Sequence, residues 1–156
     1  MKIAIIGSGF FGATLGLYLS KKNKVTIYEK EKNILNGASS ANQFRFHLGY
    51  HYPRSKKTIS EINKSKKLFT SFNGPKVFQK TINYYLIAKE SKTNFTKYKS
   101  FLKKNRLYNK SINILNLSKK IDKVILSNEK ILNYFEYKRS LLQKIQKSKL
   151  KLKLNT

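Results

Sequence analysis

Cysteine is absent from the 156 residues, so neither a disulfide framework nor a cysteine metal site is available; that fits a reducing compartment and a cytoplasmic location. Acidic side chains are scarce, seven against 34 lysines and arginines, which leaves little material for paired-carboxylate chemistry. No Ser-His-Asp or Cys-His set is present. Histidine occurs only at His47 and His51. An i,i+4 pair suits zinc on a helix, but Gly49 lies between the two and Pro53 follows them, and no carboxylate nearby in sequence offers a third ligand, so no metal is expected. Arginine is equally sparse, at Arg45, Arg54, Arg106 and Arg139.

That last shortage bears on the charge. A formal net charge of +27 points to nucleic acid, because a basic surface attracts phosphate. The bidentate guanidinium that base and phosphate recognition favours is nearly missing, however, and the lysines are spread along the chain rather than gathered on one helix or tail. Lys, Asn and Ile make up 60 of the 156 residues, and all three have A/T-rich codons. Base composition of the coding sequence accounts for the charge without a nucleic-acid partner. A basic nucleic-acid- or membrane-associated protein stays as an alternative reading.

What is present suits a globular chain: 40% hydrophobic and 13% aromatic residues, enough for a real core in about one domain. Lys2 followed by the apolar run Ile3–Leu19 and then Lys21-Lys22 has the outline of a signal or anchor segment. The run is at the short limit for spanning a bilayer, and Gly7, Gly9, Gly12 and Gly16 weaken it as a helix, so no membrane span is expected.

The spacing of those glycines has a better explanation. Ile3-Ala4-Ile5-Ile6 is a short apolar run of the kind buried on both faces of a parallel sheet. Gly7-Ser8-Gly9-Phe10-Phe11-Gly12 follows directly. Helix-compatible sequence then runs from Ala13 to Ser20, with Leu15, Gly16 and Leu19 available to pack on the sheet. A second strand, Val25-Thr26-Ile27-Tyr28, ends at Glu29. Strand, glycine turn, helix, strand and acid in this order form the dinucleotide-binding unit. Gly7 permits the tight turn, Gly9 lets backbone approach a pyrophosphate, and Gly12 lets helix and strand pack closely. The helix N-terminus offers N–H groups and partial positive charge to phosphates. Glu29, 17 residues after Gly12, is placed to accept from a ribose diol and would repel a 2′-phosphate, which disfavours NADP. Gly7, Ser8, Gly9, Phe11, Gly12 and Glu29 are therefore candidate cofactor-binding residues.

The segment Gly37-Ala38-Ser39-Ser40-Ala41-Asn42-Gln43-Phe44-Arg45-Phe46-His47-Leu48-Gly49-Tyr50-His51-Tyr52-Pro53 resembles the FAD-contacting stretch of the D-amino-acid oxidase superfamily. That group includes glycine oxidases, D-amino-acid dehydrogenases and L-2-hydroxyglutarate dehydrogenases. The nearest likeness is to the 2-hydroxyglutarate-oxidising branch, in Ser40, Asn42, His47, Gly49 and Tyr52. The resemblance implies FAD as cofactor, Ser40 and Asn42 beside its pyrophosphate, and His47 facing the flavin as the candidate catalytic residue. It also implies hydride transfer from a small amino or hydroxy acid. An ordinary polar-loop role for His47 remains open, as does a plain surface role for Arg45, whose fork would otherwise suit a substrate carboxylate. Tyr50, Tyr52, Tyr84 and Tyr85 suit either a pocket over the flavin or, for the last two, packing within a sheet.

Beyond Arg54, a helical stretch carries Ile59, Ile62, Phe69 and Phe72 on one side and stops at Asn73-Gly74-Pro75. Ile82–Ala88 and Val124–Leu126 read as strands, and 93–105 and 134–148 as helices. Leu150, Leu152 and Leu154 alternate with lysines as in a half-buried strand. The expected fold is α/β: a Rossmann-like FAD-binding βαβ unit, residues 1–55, then part of an α+β substrate domain, 56–132, then a helix and strand returning to the first unit, 133–156. In the family the chain runs to more than twice this length. An incomplete domain, inactive alone, is expected, and a remnant without activity is the second reading.

Overall fold

The computed structural model describes all of residues 1–156. In chain order the elements are β1 (Lys2–Ile6), α1 (Phe10–Leu19), β2 (Lys24–Tyr28), β3 (Arg45–Phe46), α2 (Lys56–Asn73), β4 (Phe78–Lys80), β5 (Asn83–Ala88), α3 (Phe95–Lys104), β6 (Lys110–Ile112), β7 (Ile121–Ser127), β8 (Lys130–Leu132), α4 (Tyr134–Gln146) and β9 (Lys151–Lys153). Short 3₁₀ turns cover Ala38–Ser40 and Pro75–Val77. They fold as two units, residues 1–44 with 133–156, and residues 45–132. The first crossing falls at Phe44–Arg45, earlier than the division at residue 55 that the sequence suggested. The reason is β3, whose Arg45 and Phe46 pair antiparallel with Ile131 and Lys130 of the second unit.

The first unit is a three-stranded parallel sheet in the order β1-β2-β9. Ile3 and Ile5 stand opposite Val25 and Ile27, and Ile27 opposite Leu152. Val25 and Ile27 are buried together with Ala13 and Leu17 of α1 and Tyr137, Leu141 and Ile145 of α4. Burying one such leucine or isoleucine side chain is worth about 1.5–3 kcal/mol. Two sequence expectations need correction here. β1 is not covered on both faces, since Ile6 is 84% exposed and β1 is an edge strand. On α1 Gly16 faces inward as expected, but it is joined by Leu17, whereas Leu15 points out with Phe11 and Tyr18. Gly16 is needed for the contact, because a Cβ there would stand 2.7 Å from both Ile27 Cδ1 and Leu150 Cδ1.

The second unit contains two antiparallel sheets, β3-β8-β4 and β5-β7-β6, with α2 and α3. β5 alternates buried Asn83, Tyr85 and Ile87 with exposed Tyr84, Leu86 and Ala88, the period of a strand with one covered face. Its core joins Tyr50, Tyr85, Ile87, Tyr98, Leu102 and Ile125. The starts of α2, α3 and α4 are fixed by side-chain caps: Ser55 Oγ accepts from Thr58 N–H, Asn94 Oδ1 from Lys97 N–H, and Asn133 Oδ1 from Glu136 N–H. Each such cap is worth about 1 kcal/mol. No helix is long and apolar enough to cross a membrane.

Candidate functional site

At the start of α1 the chain makes its sharpest local demands. Gly7 adopts φ +92°, a left-handed conformation that side chains rarely adopt. Gly12 lies so close to the preceding turn that a Cβ would fall 2.0 Å from the Gly7 carbonyl oxygen. Gly9 is the N-cap residue and carries no capping side chain. Its bare Cα faces Ser39, whose Oγ would be 3.1 Å from an added Cβ and which accepts from Phe10 N–H at 2.9 Å. The helix thus begins without a capping side chain of its own, its Phe10 N–H capped instead from a distant loop. That is the arrangement that holds phosphate oxygens.

Glu29 lies directly behind this turn and is buried. Its Oε2 accepts from Ser8 N–H at 2.6 Å and from Ser8 Oγ–H at 2.7 Å, and its Oε1 accepts from Glu31 N–H at 3.0 Å. Burial pushes its pKa up. The hydrogen bonds from Glu31 and Ser8, with the charge of Lys30, outweigh that and leave it below the ordinary glutamate value. Oε1 keeps acceptor capacity beyond its one donor. Glu29 therefore braces the glycine turn.

The remaining candidates separate. Ser40 is exposed, and its Oγ–H donates to the Asn36 and Gly37 carbonyls at 3.0 and 2.8 Å. Asn42 ties its own loop, donating to the Ser39 carbonyl at 3.1 Å and accepting from Phe44 N–H at 2.6 Å. The serine that reaches the helix N-terminus is Ser39, which spacing did not single out. Phe11 is 87% exposed and turned away from the sheet.

His47 belongs to the second unit and stands in a polar cluster. Its Nδ1 is 4.0 Å from Oε1 of Glu129, a fully buried carboxylate. Glu129 also accepts from Leu48 N–H at 2.7 Å and, through a short hydrogen bond, from the Tyr85 hydroxyl. Burial first, and then the bonded and nearby negative charge of Glu129, push Tyr85 far above the usual tyrosine range. The His47 and His51 rings meet edge to face with centroids 5.0 Å apart. Arg45 Nη1 lies 3.2 Å from His51 Nε2. Arginine can only donate, so His51 Nε2 is the acceptor and its proton sits on Nδ1. Burial, His47 and Arg45 all hold His51 below its ordinary pKa, with Glu129 opposing them, consistent with a neutral ring. Tyr50, stacked on Tyr85 at 5.0 Å, is pushed up to about 12, chiefly by burial. The carboxylate that the sequence did not place near His47 is thus present, but from the turn between β7 and β8. Tyr85 bonds to it, and Tyr50 and His51 pack their rings on Tyr85, while Tyr84 and Tyr52 are exposed.

The sequence of the chain from residue 2 to residue 153 matches the family model described as DAO, FAD dependent oxidoreductase. A segment of 59 residues is 39% identical to an FAD-dependent monooxygenase of Aspergillus flavus, covering 37% of this chain and 14% of that protein. The fold resembles glycine oxidase from Geobacillus kaustophilus with a TM-score of 0.74 at 15% identity, over 97% of this chain and 46% of that one. It also resembles L-α-glycerophosphate oxidase from Mycoplasma pneumoniae, solved with FAD bound, with a TM-score of 0.69 at 21% identity, over 99% of this chain and 44% of that one. The chain therefore spans less than half the length of these relatives.

Proposed function

The chain belongs to the DAO family of FAD dependent oxidoreductases, and from that premise we propose that it serves the oxidation of a small amino or hydroxy acid. The observation that carries the reading is the glycine turn at the bare N-terminus of α1. Gly7 holds a left-handed φ that side chains rarely adopt, Gly12 has no room for a Cβ, and Gly9 puts no side chain over the helix end. The backbone N–H groups at the start of α1 would hold the pyrophosphate of FAD, and Glu29 Oε1 would accept from its ribose. Ser39, not Ser40, keeps the opening in shape by fixing Phe10 N–H. When bound, the flavin supplies the electron-accepting capacity of the reaction.

In the second unit His47 is the residue suited to take a proton. As the substrate's O–H or N–H bond breaks, a bond to the imidazole forms, and the resulting positive ring faces the buried Glu129 carboxylate. Arg45 is suited to a substrate carboxylate, to which its planar fork can donate twice.

Two measurements test the reading. Titrating the labelled chain with ADP, the half of FAD that the cradle would hold, should shift the amide resonances of Gly9, Phe11 and Gly12 first; shifts elsewhere and none there would refute the cradle. In the flavin-loaded protein that carries this chain, anaerobic addition of small amino and hydroxy acids should bleach the flavin absorbance. His47→Asn should slow that bleaching by about 10²-fold or more. An unchanged rate removes His47 from the chemistry.

A further inference from the structure

Glu129 is the least expected ionisable group in the molecule. It is one of seven acidic residues, it is fully buried, and its ion-pair partner is a histidine in a chain that carries 34 lysines and arginines. A buried carboxylate must have its lone pairs satisfied to be tolerated at all. Two donors are plain: Leu48 N–H on Oε1 and the Tyr85 hydroxyl on Oε2. Asn83 Nδ2 and Ser127 Oγ fix the Glu129 backbone at 2.9 and 3.4 Å, so the residue is held from both ends. Oε1 also faces His47, and the atom it faces is Nδ1, at 4.0 Å. The His47 side chain is 41% exposed, so the ring reaches solvent while Nδ1 points to the buried carboxylate.

The groups around the ring leave one protonation pattern favoured. His51 and Arg45, on the same loop and strand, are already engaged with each other through His51 Nε2. Tyr85 donates its only proton to Glu129. A neutral imidazole carries one N–H, and beside a carboxylate the electrostatically favoured place for it is the nitrogen that faces the negative charge. We propose that Glu129 is a positioning residue that fixes neutral His47 as the Nδ1–H tautomer, leaving Nε2 as the proton-accepting atom of the ring. The assignment rests on the reading of His47 as a proton acceptor. It adds which nitrogen performs that role and which residue selects it. Free histidine favours the opposite tautomer, with the proton on Nε2, so the effect of Glu129 is open to direct observation.

The chain has only two histidines, so the imidazole nitrogens of the ¹⁵N-labelled 156-residue protein can be assigned with a single His51→Asn variant. Above the titration range of the ring, long-range ¹H–¹⁵N spectra should show His47 with a protonated Nδ1 and a bare Nε2. In Glu129→Gln the balance should move toward protonated Nε2. In Tyr85→Phe, which keeps the carboxylate and loses only one of its donors, Nδ1 should stay protonated. Protonated Nε2 in the unaltered chain overturns the proposal whether or not Glu129→Gln folds. So does an unaltered tautomer in folded Glu129→Gln, or its loss in Tyr85→Phe. A structural role for Glu129, merely holding Leu48 and Tyr85, would not move the tautomer. If the tautomer is as assigned but His47→Asn reduces flavin at the full rate, the proton-acceptor reading fails and the Glu129 assignment stands.

Discussion

A single methyl group separates a workable turn from an impossible one at Gly12. Its Cβ would meet a backbone carbonyl at 2.0 Å, and a carbonyl in a turn cannot swing aside as a side-chain tip can. Gly12→Ala should therefore cost about 3 kcal/mol, the upper end for overpacking, measured by urea denaturation of the chain; a loss under about 1 kcal/mol would show that the turn relaxes. Glu29 acts on the same turn through its charge. Its folded pKa lies below the ordinary value, so its carboxylate stabilises the fold fully at pH values above that ordinary value, 4.5, and the contribution drains away as pH falls through the lower, folded value. At pH 7 Glu29→Gln should lose about 1.5–3 kcal/mol, the worth of hydrogen bonds to a charged group. Melting curves at descending pH should show the unaltered chain losing this increment below pH 4.5 while Glu29→Gln does not. The glycines were legible because backbone constraint is written in residue type at fixed spacing. The bracing role of Glu29 was not, because it depends on Ser8 turning its N–H and hydroxyl inward.

At the scale of elements, hydrophobic spacing located the βαβ unit and the helices to within a few residues, since caps and turns mark their ends. It misjudged what covers them. The run Ile3–Ile6 read as buried on both faces and Leu15 as packed on the sheet, yet Ile6 and Leu15 are exposed, and so are Phe11 and Tyr18. Periodicity records the surface an element is suited to meet, not whether these residues supply it. The same gap hid Glu129, which is 82 positions from His47 in sequence and reaches it only because β3 pairs with β8. The exposed stripe on α1 makes its own prediction. Phe11→Asp with Tyr18→Asp should leave the denaturation midpoint of the chain within about 0.5 kcal/mol, as for surface sites away from packed contacts. Light scattering should meanwhile show less self-association, since the largest exposed aromatic side chains of that face are gone. A stability loss of 2 kcal/mol or more, in the range of a buried aromatic, would mean that the stripe is packed in solution.

At the scale of the whole molecule, the first unit carries uncovered apolar surface both on the sheet face opposite α1 and on the outer side of α1. β1 is an edge strand of a parallel sheet, a class that occurs almost only with both faces covered. The face formed by Ala4, Ile6, Thr26 and Tyr28 is lined by a shallow hollow over Ala4, Thr26 and Tyr28, bordered by Lys2, Lys24 and Lys151. The outer stripe of α1 adds further uncovered apolar surface. In the two oxidases that share the fold, this chain corresponds to 46% and 44% of the length. Residues 1–156 studied alone should therefore bind FAD weakly or not at all and show no oxidase or dehydrogenase turnover. The glycine turn would still greet the pyrophosphate, but a phosphate cradle contributes only part of the affinity for a ligand of this size, most of whose surface must be enclosed. Unpaired edge groups and bare apolar faces favour association between copies over a stable pocket. The visible spectrum and elution volume of the purified chain decide the matter together. A colourless protein that self-associates is the expected result. A yellow monomer with one flavin per chain would refute it, because residues 1–156 would then suffice to enclose the cofactor.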